Sequence, residues 1–105
     1  MNIAQLEANA ERAANLLKSM GSPRRLLILC QLVEGEKSVG ELEKSVGLSQ
    51  SALSQHLAVL RHKSYVSTRR AGQMIYYSLA GDEVRSILQS LHGLYCSEDD
   101  CAIED

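Results

Sequence analysis

Gly47 separates two segments of helical character, and this arrangement constrains the fold more than any other feature of the chain. Upstream, Ser38-Val39-Gly40-Glu41 has the form of a capping box, in which the serine and glutamate side chains satisfy free amides at a helix start. Gly47 then stands where the C-terminus of a helix favours a left-handed residue. Ser49 can cap a second helix, which runs to about Lys63. The segment therefore predicts a helix-turn-helix.

Amphipathic helices are predicted at both ends of the chain, from the spacing of their apolar residues. The apolar stripe of the first helix comprises Ile3, Leu6, Ala10, Ala13 and Leu17, and that of the last helix comprises Val84, Ile87, Leu88, Leu91, Leu94 and Tyr95. The first helix is expected to end near Met20. Ser22-Pro23 then begins an apolar segment through Val33, which we expect to be a short helix buried on most sides.

Two segments rich in β-branched and aromatic residues, 65–70 and 74–79, flank a turn that contains Gly72. This pattern predicts a β-hairpin. The expected fold class is mainly α with a small β-hairpin wing, a winged helix-turn-helix. A chain of this length holds one domain, which we place over residues 1–96. The acidic residues 97–105 are expected to form a flexible tail.

The net charge of −2 conceals a segregation of charge along the chain. From Lys44 to Gly81 there are five basic residues and no Asp or Glu, whereas residues 97–105 carry five acids and no base. A phosphate-binding surface requires a local positive field rather than a positive total. No apolar run approaches the roughly 20 residues of a membrane span, and the amino terminus does not resemble a signal peptide. We therefore expect a cytoplasmic protein that binds a nucleic acid and does not associate with a membrane.

The outer face of the second helix carries uncharged polar side chains, which can read hydrogen-bond donors and acceptors on base edges in the major groove. The predicted base-reading residues are Gln50, Ser51, Ser54, Gln55 and His56. Contacts to the DNA backbone, or through the wing, are predicted for Arg61, Lys63, Arg69, Arg70 and Gln73. The residues leave one alternative open, an interaction module whose polar helix binds protein instead of double-stranded DNA.

The segment 49–61, SQSALSQHLAVLR, resembles the recognition helix of the ArsR family of repressors. The segment 69–77, RRAGQMIYY, is similar to the wing of the same family, and the likeness extends over about residues 10–96. It implies a homodimer formed by the first and last helices, a roughly palindromic operator, and release from DNA by an inducer. Repression rather than activation rests on this resemblance.

The metal-binding patterns of the ArsR family are poorly matched. No cysteine lies near residues 41–43, where one pattern places thiolates. The pattern on the last helix begins Asp-x-His, but Asp82 is followed by Glu83-Val84, and the later histidine position is Tyr95. Asp82 and Glu98 remain as isolated carboxylates. We therefore expect no metal site of these types and no cofactor.

Three cysteines in a reducing compartment are not expected to form a structural disulfide framework. In order and placement, Cys30 and Cys96 match a subgroup of the ArsR family that senses reactive sulfur species. By that resemblance the two thiols of one subunit become joined by a disulfide or polysulfide bridge, and the protein leaves DNA. One thiolate attacks a persulfide or an oxidised thiol, and the second thiol resolves the adduct. On the residues alone, Cys30 equally fits the core as a small hydrophobe.

Two alternatives keep these cysteines but change the function. In one, the protein is a repressor that senses a metalloid or thiophilic metal through Cys30, Cys96 and Cys101. In the other, it is a small thiol oxidoreductase or sulfurtransferase, although the chain has no C-x-x-C motif and no cofactor motif. We therefore expect no enzyme activity. Cys101 is a candidate accessory thiol, whose reactivity is lowered by the carboxylates around it.

Overall fold

Helices dominate the part of the chain that the computed structural model describes, residues 2–95. The helices are α1 Ile3–Met20, α2 Pro23–Val33, α3 Val39–Val46, α4 Gln50–His62 and α5 Asp82–Tyr95, and the strands are β1 Lys37–Ser38, β2 Val66–Ala71 and β3 Met74–Leu79. This is the mainly α fold with a small β wing that the sequence predicted. None of the helices within these residues combines the length and hydropathy that crossing a membrane requires. Cys96, Cys101 and the predicted acidic tail lie outside the described residues.

Helix α2 provides the centre of the core. Its N-terminus follows the prediction, because the Ser22 side chain caps it and Pro23 occupies its first turn. Ile28, Leu29 and Leu32 are at most 1% exposed. The expectation that α2 is buried on most sides is nevertheless wrong for the single chain, since Leu27 is 45% exposed and Cys30 is also exposed. Cys30 therefore does not fill the core of the described chain.

The helix-turn-helix forms as the local signals predicted. The Glu41 amide donates to Ser38 Oγ at 3.2 Å, and the Ser38 amide donates to Glu41 Oε1 at 2.9 Å, so the capping box is closed. The hydrogen bonds from Ser38 hold the pKa of Glu41 below its usual value. Gly47 ends α3 with φ +74°, in the left-handed region. Ser49 Oγ then accepts from the Ala52 amide and starts α4.

The predicted apolar stripes of the two terminal helices have different outcomes. Helix α1 contacts the core through Leu16, Ser19 and Met20, whereas its predicted stripe is exposed along its whole length in the described chain. Helix α5 buries Val84 and Leu88 of its predicted stripe and packs Ile87 and Leu91 against the core, whereas Leu94 and Tyr95 at its end are exposed. Both helices thus present apolar surface that the rest of residues 2–95 does not cover.

The wing is a three-stranded antiparallel sheet in the order β1-β3-β2. The hairpin of β2 and β3 was predicted, with Gly72 in its turn at φ +63°. Strand β1 was not predicted, because two residues carry no periodicity. It forms where Lys37 and Ser38 pair with Tyr77 and Tyr76 on the free edge of β3.

Replacement of Gly47 by alanine is expected to destabilise the protein by about 1–2 kcal/mol, the cost of a left-handed backbone for a residue with a Cβ atom. An added Cβ would meet no atom within 4 Å, so this cost reflects the backbone alone. Urea unfolding measures it. The control is Gly40→Ala in the same helix, which is expected to be neutral or stabilising by up to about 1 kcal/mol. Equal effects of the two substitutions would contradict the requirement for a left-handed backbone at Gly47.

Candidate nucleic-acid interface

Helix α4 presents one apolar and one polar face. Leu53, Leu57 and Leu60 are at most 1% exposed and attach the helix to the core. The predicted base-reading residues Gln50, Ser51, Ser54 and Gln55 are all exposed. Their side chains are short or of medium length and uncharged, so they can approach base edges without carrying a charge into the groove.

Two further residues share the outward direction of α4 and were missed by the sequence interpretation. At 100° per residue, the direction opposite the leucine stripe is occupied by Ser51, Gln55, Ala58 and His62. Ala58 and His62 are both exposed. The signal that would have found them is the helical spacing of 51, 55, 58 and 62. Ala58 offers a methyl group suited to thymine, and His62 a donor or acceptor near the helix end.

His56 occupies a different place from the other predicted base-reading residues. It is half-buried, and its Nδ1 accepts a hydrogen bond of 3.3 Å from Arg25 Nε. The ring therefore lies between α4 and α2. A neutral histidine that accepts at Nδ1 carries its proton on Nε2. His56 thus joins the recognition helix to α2, a contact that no local pattern indicated.

Arg24, the neighbour of Arg25, contacts α3, the first helix of the helix-turn-helix. Its Nη1 donates to the Val46 carbonyl oxygen at 3.2 Å. Val46 is the last residue of α3, where carbonyl groups have no partner within the helix. Two consecutive arginines at the start of α2 therefore tie it to the end of α3 and to the middle of α4.

The C-terminal end of α4 supplies the predicted basic residues Arg61 and Lys63, both exposed. The chain turns there through Ser64 at φ +65°, the one non-glycine residue with positive φ in the described range. The Ser64 amide donates to the Arg61 carbonyl, and the Tyr65 amide donates to the Leu60 carbonyl at 2.9 Å. These two bonds form a Schellman motif, which directs the chain from α4 into the wing.

The wing places Arg69 and Arg70 in different environments. Arg69 donates two hydrogen bonds to Glu36, of 3.0 and 2.7 Å, and its Cζ lies 4.8 Å from the centroid of the Tyr76 ring. Arg70 is exposed and, within residues 2–95, its side chain has no ion-pair or hydrogen-bond partner. Gln73 is exposed in the hairpin turn.

The pair between Arg69 and Glu36 perturbs both groups. Its hydrogen bonds hold the pKa of the Glu36 carboxyl below its usual value, and they raise the pKa of the Arg69 guanidinium. Both groups therefore stay charged throughout the neutral range, and at the wing the positive charge of Arg69 is offset by Glu36.

Within the described residues, no group of three or more His, Cys, Asp or Glu side chains is arranged to hold a metal ion. Cys30 lies on the exposed side of α2. The other two predicted thiols, Cys96 and Cys101, lie outside the described residues.

Removal of the Gln55 side chain by Gln55→Ala is expected to weaken binding to a specific operator by about 1–3 kcal/mol, the discrimination carried by one base-reading side chain. Fluorescence anisotropy with operator and with scrambled DNA separates specific from general loss. Gln89→Ala provides a matched control, because Gln89 is an exposed glutamine on α5. Unchanged operator affinity for Gln55→Ala would support the alternative of a protein-binding helix.

Comparison with known proteins agrees with this geometry. The family model described as bacterial regulatory protein, arsR family, matches residues 22–68. The transcriptional activator HlyU of Vibrio cholerae is 50% identical over 91% of this chain and 89% of its own length. The biofilm growth-associated repressor of Xylella fastidiosa is 41% identical over 94% of this chain and 87% of its own length.

Solved structures show the same architecture. Reduced HlyU from Vibrio cholerae aligns with a TM-score of 0.86 at 48% identity, over 90% of this chain and all of that one. A homodimeric winged helix-turn-helix DNA-binding domain from Mycobacterium bovis, a possible ArsR-family regulator, aligns with a TM-score of 0.76 at 26% identity, over 90% of this chain and 86% of that one. The chain belongs to the ArsR family and is a DNA-binding transcriptional regulator with a winged helix-turn-helix fold.

Proposed function

We propose that the protein is a homodimeric cytoplasmic repressor, which leaves its operator when Cys30 and Cys96 of one subunit become linked. The link is a disulfide or polysulfide bridge, formed after reaction with reactive sulfur species or an oxidant. The observation that carries the proposal is the position of Cys30, exposed on the helix that holds both helices of the DNA-binding motif.

The dimer is supported by the apolar surface that the single chain leaves exposed. Ile3, Leu6 and Leu17 of α1 are 72%, 54% and 56% exposed, and Tyr95 at the end of α5 is 80% exposed. A second copy of the chain would cover these side chains by pairing the terminal helices, in a symmetric interface. The homodimeric relative from Mycobacterium bovis has the same fold. Two recognition helices would then face successive turns of the major groove, about 34–36 Å apart.

Formation of the link from an organic persulfide requires no further oxidant. A thiolate of one cysteine attacks the outer sulfur of an organic persulfide, which forms a cysteine persulfide and releases the organic thiol. The second thiolate attacks the inner sulfur of that adduct, which forms the disulfide and releases hydrogen sulfide. If both cysteines first become persulfides, their condensation with loss of hydrogen sulfide leaves a trisulfide bridge. Each added sulfur atom lengthens the bridge and relaxes the limit of about 7 Å between Cα atoms that a simple disulfide imposes.

The route from the link to DNA runs through α2. A bond at Cys30 applies force to a helix whose core face is fully buried, and such a helix moves as a unit. Arg24 and Arg25 at its N-terminus would transmit that displacement to Val46 and His56. A ligand-like modification shifts the protein between two arrangements only if it favours one of them. The link would favour an arrangement in which the two recognition helices no longer fit successive grooves.

Treatment of the reduced protein with an organic persulfide is expected to lower operator affinity about 5- to 150-fold, the usual range of allosteric coupling. Anisotropy measures the affinity, and intact mass on the same samples identifies the bridge. Cys30→Ser and Cys96→Ser should bind DNA and fail to respond. Cys101→Ser is the matched control and should respond like the unchanged protein.

An unchanged affinity after complete linkage of Cys30 and Cys96 would show that the bridge is not the switch. If arsenite or a thiophilic metal lowers the affinity at stoichiometric concentration, and persulfide does not, the thiols serve metalloid sensing instead. Repression itself is tested with a reporter gene behind the operator, whose expression should rise when the regulator is deleted.

A further inference from the structure

The two adjacent arginines of β2 point to opposite faces of the sheet. Successive side chains in a strand alternate between faces, so Val66, Thr68 and Arg70 share one face and Ser67 and Arg69 share the other. The pairing register sets Arg69 opposite Tyr76 and Arg70 opposite Ile75. The hydroxyl groups of Ser67 and Ser78, 3.2 Å apart, follow the same register on the face of Arg69.

The face of Arg70 is the one that packs toward the recognition helix. Val66 is 3% exposed and belongs to the same core cluster as Leu53, Leu57 and Leu60 of α4. Tyr77 and Leu79, which pair with Thr68 and Val66, also pack against this cluster. Arg70 extends the same row toward the hairpin turn, beyond the end of the core. It therefore projects on the side of the wing where α4 lies.

Arg69 lies on the opposite face and crosses the sheet. Strand β3 stands between β1 and β2, and Glu36 directly precedes β1. To reach Glu36 from β2, the Arg69 side chain passes over Tyr76 of β3, with its Cζ 4.8 Å from the ring centroid. The guanidinium then donates from Nε and Nη2 to the two carboxylate oxygens. One side chain thus connects all three strands.

We infer that Arg69 and Glu36 form a positioning pair that fixes the orientation of the wing, and that Arg70 alone of the two arginines carries a DNA phosphate contact. This inference rests on the DNA-binding activity and not on the thiol switch. The guanidinium fork of Arg69 is already satisfied by a carboxylate of matching geometry. A phosphate approaching Arg69 would also meet the negative charge of Glu36, so the pair releases few counterions on binding. Arg70 has no such competitor within the described residues.

The salt dependence of operator binding distinguishes the two roles. Arg70→Gln is expected to reduce the slope of log affinity against log salt by roughly one, because one phosphate contact is lost. Arg69→Gln is expected to leave the slope unchanged and to lower affinity about two- to fivefold, through a loosened wing. Anisotropy titrations of the reduced protein at four or five salt concentrations between roughly 50 and 300 mM measure both quantities.

A double-mutant cycle tests the pair itself. Glu36→Gln should lower affinity about as much as Arg69→Gln, and the double variant should be no worse than either single variant, because all three lose the same contact. Thermal unfolding of each variant checks that the exposed substitutions leave the fold intact. A shallower salt slope for Arg69→Gln would overturn the inference, and so would tighter binding by Glu36→Gln, since both results would mean that Arg69 contacts phosphate.

Discussion

The complete burial of one face of α2 is the constraint on which the remaining structure depends. Ile28, Leu29 and Leu32 have almost no contact with solvent, and helices α1, α3 and α5 and strand β3 all pack against this helix. A helix of eleven residues makes about three turns, so once one face is buried the remaining residues must lie on the other faces. The opposite side of α2 presents Leu27 and Cys30. The position of the candidate sensing thiol is therefore a consequence of how the core is built.

The polar end of α2 complements its apolar face. The hydrogen bonds of Arg24 and Arg25 add to the apolar contacts that hold the DNA-binding motif on this helix. They are directional and reach the end of α3 and the middle of α4, so they link both helices of the motif to α2. At the other end, Arg85 of α5 donates to the Val33 carbonyl at 3.3 Å. Helix α2 is thus held at both termini by side chains that link it to the DNA-binding motif and to α5, the helix that precedes Cys96.

Local sequence signals predicted the helices and the hairpin, whereas the arrangement of the candidate DNA-binding site depends on contacts between residues far apart in the chain. The capping box at Ser38, the left-handed Gly47 and the leucine stripe of α4 each depend on a few neighbouring residues, so the sequence alone located them. The ion pair of Glu36 with Arg69 joins residues far apart in the chain, and the hydrogen bond between Arg25 and His56 does the same. Neither pair can be predicted from the composition of the chain. The exposure of Cys30 was left open by the sequence for a related reason, because a nearly continuous apolar segment does not reveal which of its faces lacks a partner.

We propose that linkage of Cys30 and Cys96 changes the spacing of the two recognition helices through α2. Pulsed electron paramagnetic resonance on the dimer measures this spacing directly, with a spin label on a genetically encoded side chain at the exposed position of Ala58, so that the native thiols stay unmodified. In the reduced protein we expect a distance distribution compatible with one turn of B-DNA, about 34 Å between helix centres. Persulfide treatment should displace this distribution, and Cys30→Ser should show no displacement. Identical distributions in the reduced and fully linked protein would mean that the link does not act through the spacing of the recognition helices.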